Sequence, residues 1–271
     1  MHIEDQDFFR LRDYVKTNFG VNLEKKRTLI EGRLSNSITQ SGFDSFHDYI
    51  EDVFSDRSGA KINVLMTKLT TNYTYFMREE THYKFMQETA LPYWTSEIKD
   101  RDLRIWSAGC ASGEEAYTIA MVLSEYFGFQ KKDWDTTVLA TDISLKVLDL
   151  ARQGVYPEEH FDHLSPSWKS KYFTNLGGDE GYKVTDAMAK EVVFSQFNLM
   201  GDFSRFRKKF HIIFCRNVMI YFDTPTKTAL VKRFYNALAV GGYFFIGLSE
   251  TLSGIGGDFE QISPAIYRRV R

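Results

Sequence analysis

Several chemistries are excluded by what the chain has little of. Cys110 and Cys215 are the only two cysteines in 271 residues, too few for a disulfide framework, and no group of Cys and His has the spacing of a zinc site. No metal is therefore expected. No apolar run approaches the roughly 20 residues of a membrane span. The N-terminal MHIEDQDFFR is acidic where a signal peptide would be basic. A net charge of −2 gives no reason to expect nucleic acid as the main partner. Internal repeats and low-complexity segments are absent. These absences leave a cytoplasmic, reducing environment as the expectation, with enough chain and 43% hydrophobic content for a real core.

The most informative stretch runs from Leu103 to Leu123, LRIWSAGCASGEEAYTIAMVL. Leu103, Ile105 and Trp106 are strand formers, and Ser107 to Gly113 is almost free of bulk, so its backbone can approach a ligand closely. Ala116, Ile119, Ala120 and Leu123 then recur at the spacing of a buried helix face, with Ser112 as the expected N-cap and Phe127-Gly128 as the stop. A strand, a small-residue loop and a helix form a nucleotide-cofactor cradle or an ordinary turn in a parallel sheet. Glu114 and Glu115 in the first turn disfavour a pyrophosphate, which wants bare N–H groups at a helix N-terminus. They suit a cofactor with an amino group and hydroxyls.

Before the cradle, residues 7–69 read as helical throughout, in four segments separated near Gly20, Ser41-Gly42 and Ser58-Gly59. The second segment, Glu24 to Arg33, carries Lys25, Lys26, Arg27 and Arg33, either a solvated face or a docking face for an acidic partner. LTTNYTYFMREETHY then places Asn72, Thr74 and Arg78 among Tyr73, Tyr75 and Phe76; Arg78 is suited to pairing with a carboxylate. A helix is expected from there to Ala90, ended by Pro92.

After the cradle, Val138 to Ala140 read as a strand ending in Asp142, an acid where doubly wound sheets bind ribose hydroxyls, with Ser144 capping the next helix. Residues 156–190 read as a hairpin insert. Strands at Val192–Phe194 and Phe210–Phe214 put Asn198 and Asn217 at strand ends. Thr224-Pro225 opens a helix as N-cap and N1, Gly241-Gly242 close it before a strand at Tyr243–Leu248, and Ala265–Val270 is a last strand. The alternation from about Arg101 onward predicts an α/β fold with a twisted, mainly parallel sheet.

Three segments, LTTNYTYFMRE, IWSAGCASGEEAYTIAM and FCRNVMIYFD, together resemble the chemotaxis receptor methyltransferases of the CheR family, S-adenosylmethionine-dependent protein-glutamate O-methyltransferases. The resemblance covers nearly the whole chain. It implies a Rossmann-like methyltransferase sheet at 81–271, a small all-helical N-terminal domain with linker at 1–80, and a small antiparallel β insert at about 156–190. It implies cofactor contacts from Asn72, Thr74, Arg78, Glu115, Asp142, Asn198, Leu199, Arg216 and Asn217, with Tyr221 near the transferring methyl and Arg78 also catalytic. The implied partners are receptor helices, docking on the basic segment, and a receptor tail at the insert; a monomer is expected. An ionised glutamate needs no base, which matches the lack of a His or Cys dyad. Two other readings stand beside it: an NAD-dependent dehydrogenase, suggested by the glycine loop and disfavoured by Glu114 and Glu115, and a non-catalytic module that keeps the cofactor fold.

Overall fold

The computed structural model describes residues 1–271. Four helices come first, α1 (Asp5–Phe19), α2 (Arg27–Gln40), α3 (Phe46–Ser55) and α4 (Ala60–Leu69). α1 buries Phe8, Leu11 and Val15 on one face and stops at Gly20, whose φ of 74° lets its N–H return to Lys16 O. α2 begins at Arg27 rather than Glu24, leaving Lys25 and Lys26 on the preceding turn.

α5 (Glu80–Phe85) does not end at Pro92. It continues through a π-helical turn, Met86–Ala90, into α6 (Leu91–Glu97), where Pro92 lies in the first turn. The widened turn accommodates a residue that lacks an N–H and would clash with the preceding turn of a regular helix.

The remaining helices are α7 (Glu114–Phe127), α8 (Leu145–Gln153), α9 (Pro166–Tyr172), α10 (Asp186–Ala189) and α11 (Thr224–Ala237). Seven strands make the main sheet: β1 (Ile105–Ala108), β2 (Val138–Asp142), β6 (Val192–Gln196), β7 (Phe210–Cys215), β8 (Leu238–Ile246), β9 (Phe259–Ser263) and β10 (Ile266–Arg269). Between β2 and β6 the insert forms a separate antiparallel sheet of β3 (Val155–Tyr156), β4 (Phe173–Asn175) and β5 (Tyr182–Val184), so it has three strands rather than a hairpin alone.

The main sheet has the order β6-β2-β1-β7-β8-β10-β9, parallel from β6 to β8 and antiparallel at β10 and β9. The chain runs outward from β1 through β2 to β6, then returns to β7 on the other side of β1, where Ile105 pairs with Val138 and with Ile212. Loops that leave β1 and β7 thus diverge and open a crevice at the carboxyl ends of the strands. One sheet face packs under α7, with Ile119, Ala120 and Leu123 buried. On the other, Trp106, Phe210 and Phe234 share one continuous apolar core with Phe8, Leu11 and Leu34 of the N-terminal helices. A backbone bridge from Val21 to Phe222 fastens those helices beside the crevice.

Three end signals fall elsewhere than expected. α7 is preceded by Gly113 at φ 97° instead of being capped by Ser112, whose hydroxyl bonds the Glu114 carboxylate. α11 is capped by Asp223, which accepts from Thr226 N at 3.1 Å. Gly241 and Gly242 lie inside β8, because the strand starts at Leu238 and its pairing with β7 shifts register between Phe210 and Ile212. A Cβ on Gly241 would come 2.5 Å from Tyr93 Oη, so the glycine marks a close approach and not a helix end. β9 carried no strand signal strong enough to be expected.

Candidate active site

The loop after β1 is stitched to the end of β2. Gly109 N and Cys110 N both donate to Thr141 O, at 2.7 and 2.9 Å, and Ala111 N donates to Asp142 Oδ2 at 3.0 Å. Gly109 has φ 91°, and a Cβ there would lie 2.4 Å from Val218 Cγ2, so the loops after β1 and β7 touch at this one point, beside the crevice, only because residue 109 has no side chain.

Between them lies a cleft open to solvent. The linker lines it with Asn72, Thr74 and Arg78, the start of α7 with Glu115, and the end of β2 with Asp142. Asn198 and Leu199 come from the turn after β6, and Arg216, Asn217 and Tyr221 from the segment after β7. The structure therefore brings every residue that the resemblance assigned to the cofactor or the methyl group to one cavity. Phe19 and Val21 of the N-terminal part complete its wall.

Their commitments differ. Asp142 is buried; its Oδ1 accepts from Ser144 N at 2.9 Å and its Oδ2 from Ala111 N, and each oxygen keeps acceptor capacity for a ligand. Burial pushes its carboxyl up, against the pull of those amides. Asn198 already donates to Asn18 O at 2.7 Å and accepts from Met200 N at 2.9 Å, leaving one N–H to a ligand. Arg78 donates to Tyr73 O at 2.8 Å, its one hydrogen bond.

Arg216 is spent entirely within the protein. Nε donates to Glu79 Oε2 at 3.1 Å, and Nη1 to Tyr83 Oη at 2.8 Å and Glu115 Oε2 at 3.1 Å. Nη2 serves Arg78 O and Glu79 Oε2. Burial opposes its charge, but the groups around it outweigh burial and hold the guanidinium protonated. Glu115 also accepts from Ser107 Oγ at 2.6 Å, and burial raises its carboxyl.

Two residues escaped the sequence reading. Glu79 ties Arg216 to Leu248 N, at 3.1 Å, and stands at φ 58°, a left-handed conformation uncommon for a residue with a side chain. Glu250 accepts from Gly247 N, Asn217 N and Ile220 N at 2.7, 2.9 and 3.1 Å and so shapes the segment that carries Tyr221. Each was legible only as an acid near an element end. Glu114, grouped with Glu115 in sequence, turns the opposite way: it is wholly buried and bonds His160 of the insert. Glu115 alone of the two faces the cleft.

No histidine lines the cavity, and burial pushes the Cys110 thiol well above its usual range. The donor set fits an adenosyl cation: carboxylates for hydroxyls and positive charge, carboxamides for a base edge, and a guanidinium with donors to spare for a carboxylate.

A family model for the CheR methyltransferase SAM binding domain matches residues 72–267, and one for the CheR methyltransferase all-alpha domain matches residues 6–70. The chain is similar to a chemotaxis protein methyltransferase of Borreliella burgdorferi, 42% identical over 99% of this chain and 96% of the relative. It is 36% identical to chemotaxis protein methyltransferase 2 of Pseudomonas aeruginosa, over 98% of this chain and 94% of the relative. The Escherichia coli chemotaxis protein methyltransferase is 32% identical over 98% and 91%. The chain belongs to the CheR family of S-adenosylmethionine-dependent methyltransferases.

Proposed function

We propose that this chain methylates glutamate side chains on the helices of chemotaxis receptors, forming methyl esters and S-adenosylhomocysteine. The observation that carries the reading is a cleft lined by a guanidinium that keeps free donors, Arg78, and by no histidine. When bound, S-adenosylmethionine supplies a methyl group on a positively charged sulfur, which a carboxylate oxygen can displace. A glutamate with an ordinary pKa of about 4.3 is ionised at neutral pH and needs no proton removed. What the protein contributes is alignment and exclusion of water.

In this reading Asp142 holds the ribose hydroxyls, and Asn198 and Leu199 meet the adenine. Glu115, Asn72, Thr74 and Asn217 surround the amino-acid end, and Arg216 fixes Glu115 and Glu79 rather than meeting the ligand directly. Arg78 pairs with a carboxylate, and Tyr221 stands beside the transferred methyl. Residues 1–80 act with 81–271 as one catalytic unit, since the linker and Val21 line the same cleft.

The docking face contracts to Lys25 and Lys26. Arg27 is taken up by Asp5 at 2.5 Å and Ile3 O at 2.8 Å, and Arg33 by Leu69 O at 2.8 Å and Thr71 Oγ1 at 2.7 Å. The two lysines are exposed on a turn whose Asn22 N donates to Tyr221 O at 2.8 Å, which sets them beside the mouth. The reading extends to a receptor tail at the insert and to action as a monomer in the cytoplasm; no helix is long and apolar enough to cross a membrane.

Calorimetry and product chemistry test it together. S-adenosylhomocysteine is expected to bind and NAD not to, and Asp142→Ala to weaken the former by about 1.5–3 kcal/mol. The methylated receptor should release methanol in mild alkali, and the rate at saturating cofactor should be nearly flat from about pH 6 to 8. An alkali-stable product would end the glutamate reading. A steep rise near pH 7 would reveal a base.

A further inference from the structure

The cofactor loop has two sides, and only one faces the cleft. Gly109 to Ala111 and Glu115 line the cavity. On the other side the Glu114 carboxylate, wholly buried, accepts from His160 Nδ1 at 2.7 Å and from Ser112 Oγ at 2.8 Å. Tyr156 Oη donates to Ser112 O at 2.7 Å. Gly113, at φ 97°, lets these pieces close up: a Cβ there would lie 2.8 Å from Ala151 Cβ and 3.2 Å from Tyr156 Oη.

The same short segment of the insert also holds the linker. Phe76 N donates to His160 O at 3.1 Å, and the Phe76 ring packs edge-on to Tyr156 with centroids 4.9 Å apart. Met77 N reaches Thr118 Oγ1 at 3.3 Å, and that hydroxyl donates to Glu114 O at 2.7 Å. Residues 156–160 thus grip both walls of the cleft from behind, the cofactor loop through Glu114 and Ser112, and the linker through Phe76. A buried carboxylate whose one cationic partner is removed is costly, so this grip depends on His160.

We propose that His160 is a positioning residue that, through Glu114, sets the cofactor loop against the linker and so couples the insert to adenosyl binding. The inference rests on the cleft being the cofactor site. Coupling between two sites is reciprocal: an event that shifts the 156–160 segment changes cofactor affinity, and cofactor binding stiffens the segment by the same free energy. The pair is a charged one while His160 is protonated. Its hydrogen bond to Glu114 raises the imidazolium range, with Glu159 acting the same way, and Tyr156 and Cys110 are the other titratable groups facing Glu114. The charged pair is therefore fully present below about pH 6.5, the ordinary histidine value, and is lost as pH rises through the raised one.

Titration of the full chain with S-adenosylhomocysteine tests the coupling. His160→Gln should weaken binding about tenfold and remove the alkaline fall in affinity seen in the unmodified chain. Adding Glu114→Gln to it should recover most of the loss, because a neutral pair no longer leaves a buried charge alone. A His160→Gln protein that binds within twofold of the unmodified chain, with the same pH profile and only a lower Tm, overturns the proposal. Hydrogen exchange on the unmodified chain gives a second measurement if the variants do not fold. The ligand should slow exchange across residues 155–161, and protection confined to the cleft-lining loops overturns the coupling. Absence of binding in the unmodified chain at every pH overturns the cofactor reading itself, and this inference with it.

Discussion

Two arginines stand in the cleft, and the protein treats them in opposite ways. Arg216, on the floor, has a side chain 2% exposed and gives its donors to Glu79, Glu115, Tyr83 and the Arg78 carbonyl. Arg78, at the mouth, gives one hydrogen bond, to a carbonyl in its own linker. A guanidinium whose donors are all satisfied internally cannot turn toward a ligand without leaving two largely covered carboxylates without their cation, so Arg216 determines the shape of the site. A guanidinium with free donors at a solvent-open edge is available to pair with an incoming carboxylate. Being near a ligand and serving it are different properties. Both residues appear in motifs of the same family, and geometry alone separates them.

Breaking the floor should have the largest effect. Arg216→Met leaves the largely covered Glu79 and Glu115 without their cation, and a stability loss of about 3–5 kcal/mol is expected in urea unfolding. The two carboxyls also predict the pH response of the intact floor. Burial raises the Glu79 range, but Arg216, Leu248 N and His82 outweigh it and hold the carboxyl below its ordinary value. Its contribution is present above about pH 4.5 and is lost as pH falls through the depressed value. Glu115, raised by burial, contributes in the opposite sense. A variant as stable as the parent would show that the network is dispensable and that Arg216 belongs with the ligand contacts after all.

Breaking the mouth should cost activity instead of stability. Arg78→Ala is expected to lower both kcat and S-adenosylhomocysteine affinity, with kcat/KM down about 10- to 100-fold, the worth of a charge-assisted hydrogen bond. Arg78→Lys should not restore it if the pairing is bidentate. Tyr221→Phe should lower kcat by a smaller factor, with affinity kept. If Arg78→Ala unfolds in urea like Arg216→Met while binding the ligand normally, the contrast between floor and mouth is inverted.

Much of this was legible in the chain, for identifiable reasons. The small-residue loop at 107–113 and the strand-end acid Asp142 announce a cleft because glycine at positive φ and a carboxylate at a strand end have few other uses at that place. Periodicity located the N-terminal helices because each buries one stripe against a common core. What sequence could not show is direction. Glu114 and Glu115 are neighbours on a helix, about 100° apart around its axis, and so face different parts of the protein. Arg27 and Arg33 look like surface charges until the fold supplies Asp5 and the end of α4 as partners. Glu79 carries no motif of its own, since its role depends on Arg216, 137 residues further on.

The smallest expected effect separates charges that face outward from those turned in. Lys25→Glu with Lys26→Glu should raise KM for receptor by a factor of a few at low salt and leave S-adenosylhomocysteine affinity alone. Exposed ion pairs are individually worth about 0.2–1 kcal/mol and are screened as salt rises, so parent and variant should converge at high ionic strength. Arg27→Glu with Arg33→Glu should behave differently. Those guanidiniums hold Ile3 O, Asp5 and the last carbonyls of α4, so their loss should lower Tm at every salt concentration and change receptor KM little in the protein that remains folded. Steady-state methylation at two ionic strengths, paired with thermal melts, distinguishes the two outcomes. Equal KM for the lysine variant and the parent at low salt would make that turn a solvated surface with no part in docking.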